Sequence, residues 1–243
     1  MWTVLYKKEL SGFFYNRSAY FIMFVYLVLS LLAAFFFGLY FVADNPAMRS
    51  YFAFQPQILA VVIPAVTMRV WSEEAKNGTL EVLLTFPVSD AALVTAKFAA
   101  AFTLAALMLS FSLPLAFSTA AIVPVDGLNI AAAYLGTFLA AAALTALGCT
   151  VSAAVPLPAA SYLISVLLGW ALVGLNFSPL VSALSSHLPN PPFYLADALN
   201  FSSRYQSFLN GCFGIDGVLY FMSLTGMLLI FNGMAAAEKR RER

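Results

Sequence analysis

Charge-free stretches are the feature that most constrains what this chain can fold into. Five occur, and they cover residues 18–43, 50–68, 98–125, 127–196 and 217–237. A helix needs about 20 apolar residues to cross the hydrocarbon core of a bilayer. Only 9% of the 243 residues are charged and 62% are hydrophobic, whereas soluble domains carry about 25% charged residues. The sequence therefore predicts an integral membrane protein.

Proline divides the longest of these stretches. The sequence Val-Pro-Leu-Pro at 155–158 interrupts it, because proline lacks a backbone donor and disfavours helix in the residue before it. We therefore predict an all-α membrane protein, a single domain over 1–243, with six transmembrane helices near 19–43, 50–71, 91–123, 128–153, 159–181 and 217–237. The first stretch, at 26 residues, exceeds the roughly 7–15 residues of a signal-peptide core, so we expect it to be retained.

The distribution of lysine and arginine predicts the orientation. With six spans, ten of the twelve basic residues fall on the side that holds both termini, and only Arg49 and Arg204 fall on the other. Short cytoplasmic loops are enriched in basic residues. We therefore expect a multi-pass protein of the cytoplasmic (inner) membrane with both termini in the cytoplasm.

Residues 1–17 are predicted to form an interfacial helix. Aromatic and aliphatic residues recur at helical spacing on one side, and Lys7 and Lys8 lie on another, which is typical of a helix lying in the membrane interface. Glu9 falls within the apolar sector. Its carboxylate either reaches sideways to water or a neighbouring lysine, which we favour, or forms a buried pair with a basic residue of the 69–97 segment.

The connection at 182–216 is too apolar for an ordinary aqueous loop. It contains Phe201, Tyr205 and Phe208 together with Arg204. Such a stretch is predicted to pack back as short helices at the outer rim or as a re-entrant hairpin, which requires protein or a water-filled cavity to satisfy its backbone. The alternative is a plain aromatic belt at the interface.

Several kinds of chemistry are missing from the sequence. It contains no P-loop, no HExxH, no GxSxG and no cluster of His and Cys. The span centres lack acidic and basic residues, which ion-coupled carriers and pumps usually need at membrane depth. The polar residues left in the spans, such as Gln55, Ser152 and Ser161, could line a weakly polar path or form hydrogen bonds between helices.

One segment concentrates charge. Residues 69–97 hold seven of the 23 charged residues. The second span is predicted to continue to Lys76, and Asn77-Gly78 then ends it because both residues tolerate left-handed backbone. Thr79 is predicted to cap a short helix, 80–85, with leucines on one face, and Ser89 or Asp90 to cap the third span. The alternative is a capped loop with a solvated charge run.

This stretch resembles the signature of ABC-2 type permeases, most closely the gliding-motility (GldF-like) subgroup. The pattern M-R-x-x-x-E-E-x-x-x-G-T-x-E-x-L-L-T-x-P-V-S is met between Met68 and Ser89. Lys7 to Leu10 is similar to the start of the family's interfacial helix, and residues 203–223 are similar to its approach to the last span. Asn210 departs from the family, which more often has Arg there.

The resemblance implies the site residues. Residues 69–90 would form a cytoplasmic coupling segment whose short helix fits a groove on an ATPase, through Arg69, Glu73, Glu74, Gly78, Thr79, Glu81, Leu83, Leu84 and Pro87. The interfacial helix would contribute Lys7, Lys8 and Glu9, and short outer helices would roof the pathway through Phe201, Arg204, Tyr205 and Phe208. No catalytic or metal-binding residues are expected.

The resemblance also implies the partners. A second permease copy or a homologous permease would pair with this chain. A separate ABC ATPase subunit would bind ATP and magnesium. The resemblance is also compatible with an auxiliary periplasmic subunit. The chain itself would bind no cofactor and no nucleic acid and would not be an enzyme. The expected function is ATP-driven export or extrusion.

Other classes of function remain alternatives. The chain could transmit mechanical work in a gliding-type complex without moving a solute. It could be a membrane-embedded lipid-modifying enzyme, although Glu73 and Glu74 are the only close acidic pair and no histidine accompanies them. A secondary carrier is disfavoured by the uncharged spans.

Overall fold

The computed structural model describes residues 2–37, 47–79, 88–122, 127–174 and 200–241. Within these ranges every regular element is a helix. Eleven α-helices are numbered in chain order here: α1 Trp2–Tyr15, α2 Arg17–Leu32, α3 Ala47–Ala53, α4 Gln55–Thr67, α5 Ser72–Lys76, α6 Asp90–Ser110, α7 Leu113–Ile122, α8 Gly127–Ala154, α9 Pro158–Gly174, α10 Phe201–Leu209 and α11 Ile215–Arg241. A π-helical turn, Ala33–Phe37, extends α2.

The chain is a multi-pass membrane protein, but the predicted six-span layout is only partly confirmed. Three described helices are long and apolar enough to cross a bilayer, namely Asp90–Ser118, α8 and α11. A fourth results if α1 and α2, which meet at a bend of 73°, count as one broken span. The predicted second span is divided at Phe54 into α3 and α4, and α9 has 17 described residues. Six spans therefore remain a prediction.

Local sequence signals fix several helix ends, and two of them, Ser89 and the Val-Pro-Leu-Pro break, are predicted from the sequence. The Asn16 side chain accepts a hydrogen bond from the Ser18 backbone N–H and caps α2. Ser89 caps α6 by accepting from the Ala92 N–H. The Val-Pro-Leu-Pro break separates α8 from α9. Asn16 and Ser89 each accept a hydrogen bond from a backbone N–H that the first turn of a helix leaves unpaired. Proline at the start of α9 has no backbone N–H to satisfy.

Helix α8 is the centre of the molecule. It contacts α4, α6, α9, α10 and α11. In its most apolar stretch of 18 residues 67% is buried, whereas only 11% of the corresponding stretch of α11 is buried. Its buried positions are mostly Ala, Gly and Thr. Small residues let helix backbones approach closely, which is how helices pack when lipid leaves little hydrophobic force between them.

A buried hydrogen-bond network joins α2 to α3 and α4. The Tyr26 hydroxyl donates to Gln55 Oε1 (3.0 Å), Gln55 Nε2 donates to Ser30 Oγ (2.7 Å), and the Ser30 hydroxyl donates to the Tyr51 hydroxyl (2.9 Å). All four side chains are buried. Of the two roles that the sequence left open for polar residues in the spans, Gln55 therefore has the interhelical one.

Candidate functional site

The structure describes the two ends of the coupling segment, residues 69–79 and 88–90. The predicted short helix at 80–85 lies outside the described residues, and so do Glu81, Leu83, Leu84 and Pro87. At the first end, the expected continuous extension of the second span is wrong. Helix α4 ends at Thr67, a turn follows, and α5 forms a separate short helix.

The predicted helix stop is confirmed at Gly78, whereas Asn77, the C-cap of α5, keeps a right-handed backbone with a φ of −86°. Gly78 has a φ of +71°, the left-handed conformation that glycine adopts without steric cost. Before it, the Asn77 N–H donates to the Glu73 carbonyl (3.0 Å) and closes α5. Thr79 is predicted to precede the short helix as its cap, but its own backbone is already helical. Its hydroxyl donates to the Glu74 carbonyl (3.4 Å).

Ser152 anchors the turn between α4 and α5. Its Oγ accepts from the backbone N–H groups of Trp71 (3.1 Å) and Ser72 (3.2 Å), and the Ser72 hydroxyl donates to the Val155 carbonyl (2.6 Å). Both serines are fully buried. The start of the coupling segment is thereby attached to the end of α8. No periodicity or spacing in the sequence marked Ser152 for this role.

Four side chains form a charge cluster beside this anchor: Lys8 and Glu9 of α1, Glu74 of α5 and Lys97 of α6. Lys97 Nζ lies 2.8 Å from Glu74 Oε2 and 3.3 Å from Glu9 Oε1. Lys8 Nζ lies 3.2 Å from Glu9 Oε1 and 3.4 Å from Glu74 Oε1. Two cations and two carboxylates therefore join three helices with no net charge.

Lys97 is the buried centre of this cluster. Its side chain is 1% exposed, its Nζ donates to the Val70 carbonyl (2.8 Å), and it lies 5.1 Å from the ring centroid of Trp71. A buried ammonium is tolerated only when it is paired and hydrogen-bonded. The two carboxylates, the carbonyl and the indole ring together meet that need.

Glu9 corrects a sequence-based interpretation. The sequence favours a Glu9 carboxylate that reaches to water or to a neighbouring lysine. The structure shows the contact with Lys8, but it also shows the buried pair with Lys97, and the Glu9 side chain is only 13% exposed. The sequence signal for this buried pair is the position of Glu9, a charged residue within the apolar face of a helix.

Lys8 lies at the exposed edge of the cluster. Burial lowers the pKa of its ammonium, but the Glu9 and Glu74 carboxylates raise it by more, so that the pKa lies above its usual range. Lys7, next to it, is exposed. On the basic face of α1, Lys8 therefore forms ion pairs within the charge cluster, and Lys7 faces solvent.

Further polar contacts hold the same end of the molecule together. Arg69 donates to the Ser18 hydroxyl (3.2 Å) at the start of α2. Arg240, near the end of α11, pairs with Asp90 (3.0 Å) and donates to the Val88 carbonyl (3.2 Å). Tyr6 and Thr103 share a hydrogen bond (2.9 Å) between α1 and α6. The described ends of the coupling segment are therefore connected to α2, α8 and α11.

The structure describes residues 200–216 of the predicted outer rim, and Phe201–Leu209 forms helix α10 there. Asn200 caps α10 by accepting from the N–H groups of Ser202 and Ser203. Phe201, Tyr205 and Phe208 are buried and Arg204 is half-buried. The Tyr205 hydroxyl donates to the Phe52 carbonyl (2.8 Å) and lies 2.9 Å from the Thr137 hydroxyl. Residues 182–199 lie outside the described residues.

The rim and the charge cluster lie far apart. Thr137 contacts the rim and Ser152 contacts the coupling segment, and both belong to α8. Fifteen residues of α-helix separate them, which corresponds to about 22 Å. The predicted site residues thus form two groups at different depths. Among the described residues there is no group of three or more His, Cys, Asp and Glu that could hold a metal ion.

Comparison with known proteins identifies the family of the chain. The family model for ABC-2 family transporter proteins matches residues 15–176, a range that begins at the end of α1 and contains the whole coupling segment. No curated protein sequence matches the chain. Because the family match covers well over half of the chain, the chain belongs to the ABC-2 transporter family and is a membrane permease of an ABC transporter.

Proposed function

We propose that this chain is the permease subunit of an ATP-driven ABC-2 exporter of the inner membrane and that residues 69–90 couple it to a separate cytoplasmic ATPase. It would pair with a second permease, and ATP and magnesium would bind on the ATPase alone. The family implies association with an ABC ATPase subunit. The arrangement of the coupling segment supports its use as the contact.

The observation that carries the proposal is the attachment of α5. Glu74 pairs with Lys97 of α6 and Lys8 of α1, and Ser72 bonds to Ser152 and Val155 at the end of α8. A force applied to residues 79–87 would therefore reach three helices through short polar contacts. A loop that served only as a connection would not need buried ionic attachment, since burying charges is costly.

Glu74 and Glu81 then have different roles. Glu74 is committed to the charge cluster, with a side chain 18% exposed, and positions the segment. Glu81, Leu83 and Leu84 remain the residues proposed to meet the ATPase. A helix this short offers few contacts, so its hold on a partner must be concentrated in a few residues.

Charge reversal at Glu81 tests the proposal. The tagged chain is purified with the P-loop ATPase that accompanies it, and ATPase recovery and permease-stimulated hydrolysis are measured. Glu81→Arg is expected to lower ATPase recovery or stimulated hydrolysis about tenfold, the effect of losing one charged contact, while the permease remains folded in the membrane.

Glu238→Arg is the matched control, because Glu238 is an exposed acid near the end of α11 and lies outside the coupling segment. It should retain wild-type recovery and hydrolysis. Wild-type values for Glu81→Arg as well, or a wild-type chain that retains no ATPase, would overturn the proposed coupling.

A further inference from the structure

A cavity lies at the elbow where α1 turns into α2. Its volume is about 260 Å³, and its walls include Gly12, Ile22, Arg69, Glu73 and Leu104. This elbow cavity is far larger than the roughly 30 Å³ share of one water molecule. It occupies the corner formed by the 73° bend between α1 and α2, and the interfacial position that the sequence predicts for α1 would bring this corner to the level of the lipid headgroups.

Among the charged residues that line the elbow cavity, one cation and one anion, Arg69 and Glu73, lie outside the charge cluster. Lys8, Glu9 and Glu74 also border it, but they are neutralised within the charge cluster. Arg69 is half-buried and donates to the neutral Ser18 hydroxyl, and Glu73 is exposed. Within the described part of the chain neither forms an ion pair. They lie four residues apart in the sequence, and both line the elbow cavity.

Most of the remaining lining is apolar. Phe13, Ala19, Ile22, Val66 and Leu104 contribute to it. Gly12 lies at the side of α1, where an added Cβ would meet no atom within 4 Å. The cavity therefore offers polar and apolar surfaces side by side, with open space at Gly12.

We propose that the elbow cavity binds the headgroup of phosphatidylethanolamine. The phosphate accepts hydrogen bonds from the Arg69 guanidinium, the primary ammonium donates to the Glu73 carboxylate, and the acyl chains begin along Phe13 and Ile22. Guanidinium and carboxylate are suited to phosphate and ammonium respectively. The site goes beyond the coupling role, and binding is measured on the permease alone, so its outcome is independent of any ATPase.

The walls select against other headgroups. A choline group has no N–H to donate to Glu73 and is usually bound by several aromatic rings, whereas Phe13 is the aromatic residue in the described lining. The phosphate of an anionic glycerol headgroup would pair with Arg69, but this headgroup carries no cation that could pair with Glu73. One guanidinium and one carboxylate, Arg69 and Glu73, thus match a zwitterion that carries a phosphate and a hydrogen-bonding ammonium.

Native mass spectrometry of the delipidated full-length chain tests this proposal. Dioleoyl phosphatidylethanolamine, phosphatidylcholine and phosphatidylglycerol are added separately at equal concentration. We expect the first to bind about tenfold more tightly than the other two, the effect of one charge-assisted hydrogen bond. Equal binding of ethanolamine and choline lipids, or tighter binding of the glycerol lipid, would overturn it.

Variants locate the binding. Gly12→Leu fills the open space without changing charge, and Gly12→Ala is its control because a single methyl meets nothing. Gly12→Leu and Arg69→Gln should each weaken ethanolamine-lipid binding about tenfold, and Gly12→Ala should not. Glu73→Gln, an exposed change that leaves folding intact, should abolish the preference over the glycerol lipid. Retention of that preference by Glu73→Gln would refute the site even if Gly12→Leu failed to fold.

Discussion

At the scale of single residues, Lys97 departs furthest from what its type prefers, because lysine is rarely fully buried. It is 1% exposed and is held by two carboxylates, a carbonyl and an indole ring. Removing its charge would leave Glu9 and Glu74 with Lys8 as their shared cation. The cluster would change from neutral to singly negative at a largely buried position.

We therefore expect Lys97→Met to destabilise the protein by about 3–5 kcal/mol, the usual cost of breaking a buried ion pair from one side. The measurement is the unfolding midpoint of the purified protein in detergent. Lys7→Met is the control, since Lys7 is exposed on α1 and such surface changes usually remain within about 0.5 kcal/mol. Equal midpoints for the two variants would show that the cluster contributes little to stability.

At the scale of elements, close contact between α4 and α8 depends on glycine. An added Cβ at Gly148 would lie 2.9 Å from the Thr67 Cβ and closer still to its hydroxyl. Real Cβ atoms essentially never approach that closely. The same contact places the end of α4, and therefore the start of the coupling segment, against α8.

Gly148→Ala should accordingly destabilise the fold by about 1–3 kcal/mol through overpacking, and Thr67→Gly in the same chain should recover part of the loss. The unfolding midpoint is again the measurement. Gly226→Ala on α11 is the matched control, because an added Cβ there meets no atom within 4 Å and alanine favours helix by about 1 kcal/mol. Equal loss in both variants would point to a cause other than the contact with Thr67.

At the scale of the whole molecule, the natural cysteines test the predicted orientation. Cys212 is exposed between α10 and α11, whereas Cys149 is buried in α8. In intact cells a membrane-impermeant thiol reagent should label Cys212 from the outside. Labelling should disappear in Cys212→Ser and reappear from the outside when cysteine replaces Asn45, Asp126 or Gln206.

Cysteine at Asn77 or Arg241 in the Cys212→Ser chain should react only after the membrane is opened, because the distribution of basic residues predicts that both positions lie in the cytoplasm. Outside labelling at position 77 would reverse the orientation and remove the coupling segment from any cytoplasmic ATPase.

Much of the fold follows from the sequence alone, because the signals are local. Long apolar stretches determine that the chain enters a membrane. Proline at 156 and 158 ends α8, Ser89 caps α6, and glycine at 78 takes the left-handed backbone. The pattern between Met68 and Ser89 indicated the ABC-2 family, which the family match confirms. Each of these signals depends on neighbouring residues and is independent of the tertiary packing.

Tertiary packing decided the contacts that hold the described ends of the coupling segment. Glu9, Glu74 and Lys97 lie far apart in the chain, and they meet only because α1, α5 and α6 converge. Ser152 looks like any other hydroxyl in an apolar helix until α8 brings it to the Trp71 and Ser72 backbone. A one-dimensional pattern shows that a residue is polar and where it lies on its helix. Its partner depends on which helices pack together and at what rotation.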